Sequence, residues 1–452
     1  MSVKSVRPAW RPRTPGLLPT RILSLLLLVG TRLCQADVAV PDTPAGHALS
    51  AWLTVFNAGD PDGIQSYYKM YFPASAGGPG IQEFRAQTGG FELLGIEDSE
   101  PLRVVFTVKE RLSTTTAIGR IAMKDETSGK VADLLLLATP PGRKVIGFNI
   151  DGAERARVVD GIAAQLGEYY VFPSVAEKMG QKIRSQLRNG AYDRLQDGGL
   201  FALALGEDLR AISHDGHLRV GFSPFQVPEQ GQQPDPNSIE RFQAQMLRTN
   251  CGFERVEHLP GDIGYIKLNE FSDPDICAPT VVAAMGVIQN VSALVIDLRD
   301  NGGGSALMEE LIESYLFSSQ TRMNDLWDRK TNTTRQYWTQ VYVPGKRIAS
   351  QPLFVLTSSH TFSAAEAFTY DLQAQKRATI VGETTGGGAH TIINRRLDDR
   401  FFVVVPYQRA INPITNGNWE GSGVVPDVKV SAADALQTAE KLASQRLATA
   451  NK

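Results

Sequence analysis

Cysteine is scarce in this 452-residue chain: Cys34, Cys251 and Cys277 are all there is. None has the spacing of a metal site, and Cys251 and Cys277 are left either to pair in an oxidising compartment or to sit as buried thiols. Long apolar runs are also missing. The segment Ile22–Val29 is the strongest, and it is too short for an ordinary membrane span. No repeat and no low-complexity tract is found, and no basic cluster appears after the first 36 residues, which argues against nucleic acid or an anionic membrane as partner. What remains, 42% hydrophobic and 21% charged, is the composition of an ordinary globular protein long enough for two or three domains.

The first 36 residues stand apart. They carry Lys4, Arg7, Arg11, Arg13, Arg21 and Arg32 with no acid, then the apolar Ile22–Val29, then Cys34 and Ala36 at −3 and −1 of a cleavage site. That order reads as a secretory signal peptide with a mature chain starting near Asp37. An uncleaved N-terminal anchor is the competing reading, and a lipoprotein processed at Cys34 is disfavoured by Arg32. Cleavage would take the formal charge from −2 to −2 − 6 = −8.

From 37 to 151, a helical opening with Leu49, Leu53, Phe56, Ile64 and Tyr68 on its apolar positions leads into strand-like runs, PLRVVFTVKERL, TTAIGRIAMK, KVADLLLLAT and KVIGFNID. Helices followed by hairpin-linked strands predict a small α+β domain, loosely resembling the cone-shaped nuclear-transport-factor-like fold. Residues 152–223 read as helices ending in Asp215-Gly-His217, and 224–250, rich in Pro and Gln, as a linker. From 251 to 452, strands alternate with helices, which predicts parallel βαβ units and an α/β core.

Within that core, Gln351–Ala389 reads as a strand, a polar loop, a helix opening at Ser363, a second strand and a glycine turn. A serine at a helix N-terminus directly after a strand suits nucleophilic chemistry, because the free N–H groups of the first turn can bind an oxyanion. Ser363-Ala-Ala-Glu366 is equally a capping box, in which the hydroxyl only satisfies a helix N–H. Upstream, ALVIDLRD runs into Asn301-Gly-Gly-Gly304, a second backbone-rich turn before a helix; it lacks the Lys-Ser/Thr of a phosphate loop and the dinucleotide fingerprint. A serine nucleophile needs a base, and six histidines are available: His47, His214, His217, His258, His360 and His390.

Taken together, Asp215-Gly-His217, ALVIDLRDNGGG, HTFSAAEAF, GETTGGG and WEGSGVVPD resemble the C-terminal-processing and tricorn-type serine peptidases, nearest the branch of tricorn-like enzymes and interphotoreceptor retinoid-binding protein repeats. The resemblance runs from about Arg155 to the C-terminus. It implies a crotonase-like core of ββα and βαβ units behind a helical subdomain, with Ser363 as nucleophile, His217 as its base and Glu420 as the acid orienting the imidazole. Oxyanion donors would be the N–H of Ala364 and of a glycine in the Asn301 turn, Gly303 in preference to Gly302. The branch that uses a lysine base is set aside, because no lysine lies between Lys376 and Lys429. Two departures stand out: Gly216 replaces the serine that tricorn-like enzymes place beside the histidine, and the 224–250 segment is too short for a PDZ domain.

The expectation is therefore an exported serine peptidase acting on peptide or protein substrates without cofactor or metal. It would have no stable membrane span after signal cleavage. A non-catalytic module for apolar ligands and an esterase or amidase of small substrates are the alternatives.

Overall fold

The computed structural model describes residues 38–72, 80–140, 143, 145–232 and 236–450, so the signal-peptide reading lies outside the described residues. The chain forms two compact units, one ending at Thr139 and one from Pro140 onward.

The first unit opens with α1 (Pro44–Ala58), α2 (Pro61–Tyr71) and α3 (Gly80–Thr88), followed by β1 (Phe91–Glu100), β2 (Arg103–Glu110), β3 (Thr116–Met123) and β4 (Val131–Ala138) in an antiparallel meander. Thr43 caps α1 through a hydrogen bond from the Gly46 N–H, Pro44 starts it, and Gly59 ends it in the left-handed region at φ 73°. Leu49, Trp52 and Phe56 share one face of α1 and are buried, with the Trp52 ring stacked on Phe56 and Phe91. The α+β character expected from the sequence is therefore present.

Its boundary is earlier than position 151. The KVIGFNID segment is not a strand of the first sheet: the Ile146 N–H donates to Pro224, and the Phe148 carbonyl accepts from Gly198, both in the second unit. Its backbone groups are satisfied there, which carries the segment with it.

The second unit begins with α4 (Gly152–Tyr169), α5 (Pro173–Arg188), α6 (Gly198–Ser213) and β5 (Arg219–Phe222). The expected linker holds α7 (Pro236–Arg248), so its Pro- and Gln-rich composition describes only the first half. Then come β6 (Phe253–Leu259), β7 (Ile263–Leu268), α8 (Pro274–Val287), β8 (Ala293–Asp297), α9 (Ala306–Glu313), β9 (Arg322–Asp328), β10 (Thr333–Trp338), β11 (Leu353–Thr357), α10 (Ala364–Ala374), β12 (Thr379–Gly382), β13 (His390–Arg396), β14 (Phe401–Ile411), β15 (Val428–Lys429) and α11 (Ala435–Ala450). Cys251 and Cys277 form a disulfide between the start of β6 and α8.

These strands build two sheets. One has the order β15-β12-β11-β8-β7-β6, parallel except for the β6–β7 pair. Its inner strands β7, β8, β11 and β12 are buried on both faces, as parallel strands are. Leu294, Ile296, Leu353 and Val355 point to α8, α9 and α10, while Val295, Phe354 and Leu356 point to Ala435, Ala439 and Ala443 of α11. The other sheet is antiparallel, β10-β9-β14-β13 with β5 on β14, and Phe401, Val403 and Val405 of β14 pack under α4 and α6. The parallel βαβ core was expected; this second sheet was not.

Candidate active site

Ser363 ends the loop between β11 and α10, with backbone φ 56° and ψ −121°. A serine costs energy in that region and stays there only when its surroundings over-determine it. The surroundings are visible. Phe362 N–H donates to the Asn301 carbonyl, Thr361 Oγ1 to the Leu298 carbonyl at 2.8 Å, and the Glu366 carboxylate accepts from the Ser363 N–H at 3.0 Å. Glu366, fully buried, also accepts from Thr385 Oγ1 and from the amides of Gly387 (2.6 Å) and Gly388 (2.7 Å). Burial raises its carboxyl above the ordinary range, against the lowering effect of those bonds. The Glu366 side of the capping box is in place, its carboxylate accepting from the Ser363 N–H at 3.0 Å, and the Glu366 amide donates to the Ser363 carbonyl at 2.9 Å. Ser363 is half-buried at the helix N-terminus.

The Asn301 turn reaches the same point. Asp297, at the end of β8, is fully buried and held by Tyr265 Oη and Arg299, which fixes the strand end. Asn301 Nδ2 donates to the Leu268 carbonyl, and its Oδ1 accepts from the Gly303 N–H at 2.8 Å. The Gly303 amide is thereby committed, contrary to the expectation that it serves an oxyanion. Gly303 is instead a close-approach position: at φ 108°, a Cβ on it would meet Ser363 Cβ at 2.7 Å. Among the described residues the amides of Gly302 and Ala364 have no hydrogen-bonded acceptor. Gly302 and Ala364 line a cavity of about 610 Å³ together with Ser363 and His217.

His217 enters from the turn between α6 and β5. Its N–H donates to Asp215 Oδ1, its ring packs on Phe362 at 4.6 Å, and Gly388 passes close enough that a Cβ there would meet His217 Cε1 at 2.6 Å. Burial, opposed in part by Asp215, lowers the imidazole to about 4, so it is neutral near neutral pH. Its Nδ1 is buried with no hydrogen-bond partner.

Among the described residues no hydrogen bond joins Glu420 to that ring. Glu420 Oε2 accepts from the Ala389 N–H at 2.6 Å and lies 3.5 Å from His390 Nδ1. The residue that sequence reasoning passed over is His390, whose Nδ1 is 2.7 Å from Asp215 Oδ2; Tyr170 Oη donates to that same oxygen at 3.3 Å. Burial alone would raise the Asp215 carboxyl, but the His390 hydrogen bond and charge outweigh it and hold Asp215 low. Burial pushes Glu420 up to about 7, with His390 opposing. Next to His217, whose neighbour is Gly216 rather than a serine, lie the buried Asp215 and His390 and the half-buried Glu420. A sequence signal existed: His390 opens a strand two residues after the Gly386-Gly387-Gly388 turn.

Two groups of side chains have donor atoms within 4.8 Å of one another, close enough to share a cation: Asp215, His390 and Glu420, and separately Glu309, Glu313 and Asp371.

A serine at φ 56° in a strand-to-helix turn, lining one cavity with Gly302, Ala364 and His217, resembles the nucleophile elbow of serine hydrolases. The comparisons agree with that class. Residues 262–430 match peptidase family S41, and residues 153–250 match the N-terminal domain of that family in eukaryotic IRBP. The chain belongs to peptidase family S41, the family of the C-terminal-processing serine-type peptidases.

Among curated relatives, the chloroplastic carboxyl-terminal-processing peptidase 2 of Arabidopsis thaliana is 30% identical over 190 residues, 38% of this chain and 34% of that one. The carboxyl-terminal-processing protease of a Picosynechococcus species is 30% identical over 149 residues, 31% of this chain and 33% of that one. The chain thus spans about a third of the length of each. A crystal structure of the tricorn protease aligns with TM-score 0.43 at 12% identity, covering 80% of this chain and 47% of that one.

Proposed function

We propose that this protein is an exported serine peptidase that cleaves peptide bonds through an acyl-enzyme on Ser363. The observation that carries the reading is the Ser363 backbone at φ 56°, which places the serine at the N-terminus of α10 in one cavity with His217. His217 takes the Ser363 proton, Oγ attacks the carbonyl carbon, and the amides of Gly302 and Ala364 receive the oxyanion. His217 then gives the proton to the leaving amine, and water repeats the sequence to free the acid. Asp215, backed by His390 and Glu420, takes the positioning role that Glu420 alone was expected to fill, by accepting from the His217 backbone N–H at 3.0 Å. The disulfide supports export, since such bonds persist in oxidising compartments. Among the described residues no helix is long and apolar enough to cross a membrane.

The test is covalent labelling by a fluorophosphonate. Wild-type protein should label at Ser363 and digest a denatured protein, and Ser363→Ala should lose both with its fold retained. Labelling with cleavage of small esters or amides but not peptides would move the assignment to the esterase or amidase reading. One observation favours a binding module: no hydrogen bond joins Ser363 Oγ to His217 among the described residues. No labelling together with saturable binding of an apolar ligand would establish that reading instead.

A further inference from the structure

The cavity that holds Ser363 continues along α10 to an acidic end. Ser363, Ala364, Ala367 and Asp371 follow one another down a single face of that helix, and all four line the cavity. Ala306, Glu309, Glu310 and Glu313 of α9 line it opposite, at i, i+3, i+4 and i+7. Three carboxylates meet at the far end. Glu313 and Asp371 are fully buried, and Glu309 is 6% exposed.

Their hydrogen bonding is uneven. Asp371 is satisfied, accepting from the Asn324 N–H at 3.0 Å and from Nδ2 of Asn324 (2.7 Å) and Asn412 (2.8 Å). Glu313 is not: both of its carboxylate oxygens are buried without a partner, although the side chain lines the cavity. Leaving a buried carboxylate unpaired is costly, and an unsatisfied group of this kind calls for an explanation. No ion pair neutralises the three among the described residues; Arg335 lines the same cavity but stacks on Tyr337. Burial raises the Glu309, Glu313 and Asp371 carboxyls well above their ordinary values, with repulsion from neighbouring carboxylates adding to it, from within the cluster and Glu310 at Glu309 and Glu313 and from Asp325 at Asp371, and a bound cation would oppose that rise.

We infer that this acidic end is a specificity pocket for a lysine or arginine side chain of the substrate, on the acyl side of the bond that Ser363 attacks. The inference rests on the reading of Ser363 as nucleophile. Asp371 is two turns below Ser363, about 12 Å along the axis at 1.5 Å per residue. The walls between are Ala306, Ala364, Ala367, Met323 and Leu326, small or apolar groups suited to a methylene stem. A metal ion would need the carboxylates but not the stem-shaped approach.

The experiment has two arms. Binding of p-aminobenzamidine and agmatine to full-length Ser363→Ala is followed by fluorescence and calorimetry; saturable binding is expected, weakened by about tenfold or more when Glu313→Gln is added. In the active protein, substrates with arginine before the scissile bond should be cleaved about a hundredfold faster in kcat/KM than their citrulline counterparts, and Glu313→Gln should erase most of that ratio while citrulline cleavage persists. Glu309→Gln supplies the same test if Glu313→Gln fails to fold. Equal cleavage of arginine and citrulline substrates overturns the inference, as does binding of neither amine. Calcium binding that is lost in Glu313→Gln, without amine binding, overturns it in favour of a metal site. Fluorophosphonate labelling of Ser363 in the same preparation separates these failures from failure of the peptidase reading.

Discussion

His217 makes the pH dependence of this site specific. Its imidazole ordinarily titrates near 6.5 and is lowered by burial to about 4. If it is the base, kcat/KM should already be on its plateau by about pH 6, and the acid limb should fall well below that of an exposed histidine. The stability sign follows from the same shift. Because the folded value is depressed, the stability tied to keeping His217 neutral is complete above 6.5 and is lost as pH falls through about 4. Chemical denaturation of His217→Phe and wild type at pH 7 and pH 4.5 measures it: the difference between the two proteins should shift toward the variant at the lower pH. His390→Phe tests the cluster behind the base. It should lower kcat by about ten- to a hundredfold with KM kept, and His390→Gln should recover part of the loss. Among these residues, Ser363 and His217 were legible because motifs surround them. His390 and Asp215 were not, since their partnership spans 175 positions. Glu313 was the least legible, because an acid in MEELIE reads as the solvent face of a helix.

At the scale of elements, α10 and the glycine turn after β12 behave as one piece, joined by Glu366. Each of its carboxylate oxygens accepts two donors. Glutamine can accept at only one of those oxygens and would set its own N–H groups against the other donors. Glu366→Gln should therefore cost about 3 kcal/mol or more, measured by urea unfolding, and should lower kcat as the Ser363 turn relaxes. Gly388→Ala should reduce activity by a different route, because its Cβ would lie 2.3 Å from the Phe362 ring and 2.6 Å from His217 Cε1. The parallel strands β8, β11 and β12 were readable as short apolar runs between turn residues. β9 and β10 were not: Arg322–Asp328 and Thr333–Trp338 are rich in polar residues, and the outer one is largely exposed. Their strand character comes from a ladder in which β9 pairs with β14 and β10 with β9, which only tertiary structure supplies.

For the whole molecule, the Cys251–Cys277 bridge closes a separation of 26 residues, and its loss should cost about 3 kcal/mol by the entropy of the closed loop. Cys251→Ser with Cys277→Ser, compared with wild type by thermal melting, checks that value. The pairing was open in sequence, because two cysteines alone do not report how near the fold brings them. The placement of the two candidate reacting groups has a larger consequence. His217 leads into β5 of the antiparallel sheet, whereas Ser363 follows β11 of the parallel one, and Glu366 on α10 grips the turn that leads into β13. The machinery is therefore a seam property: neither layer owns it. On gentle warming or in low denaturant, a shift of one layer against the other separates imidazole from hydroxyl while every helix and strand is still intact. Hydrolysis should fade before far-UV ellipticity does, and return promptly on cooling, so that turnover serves as a gauge of how firmly the two layers are docked.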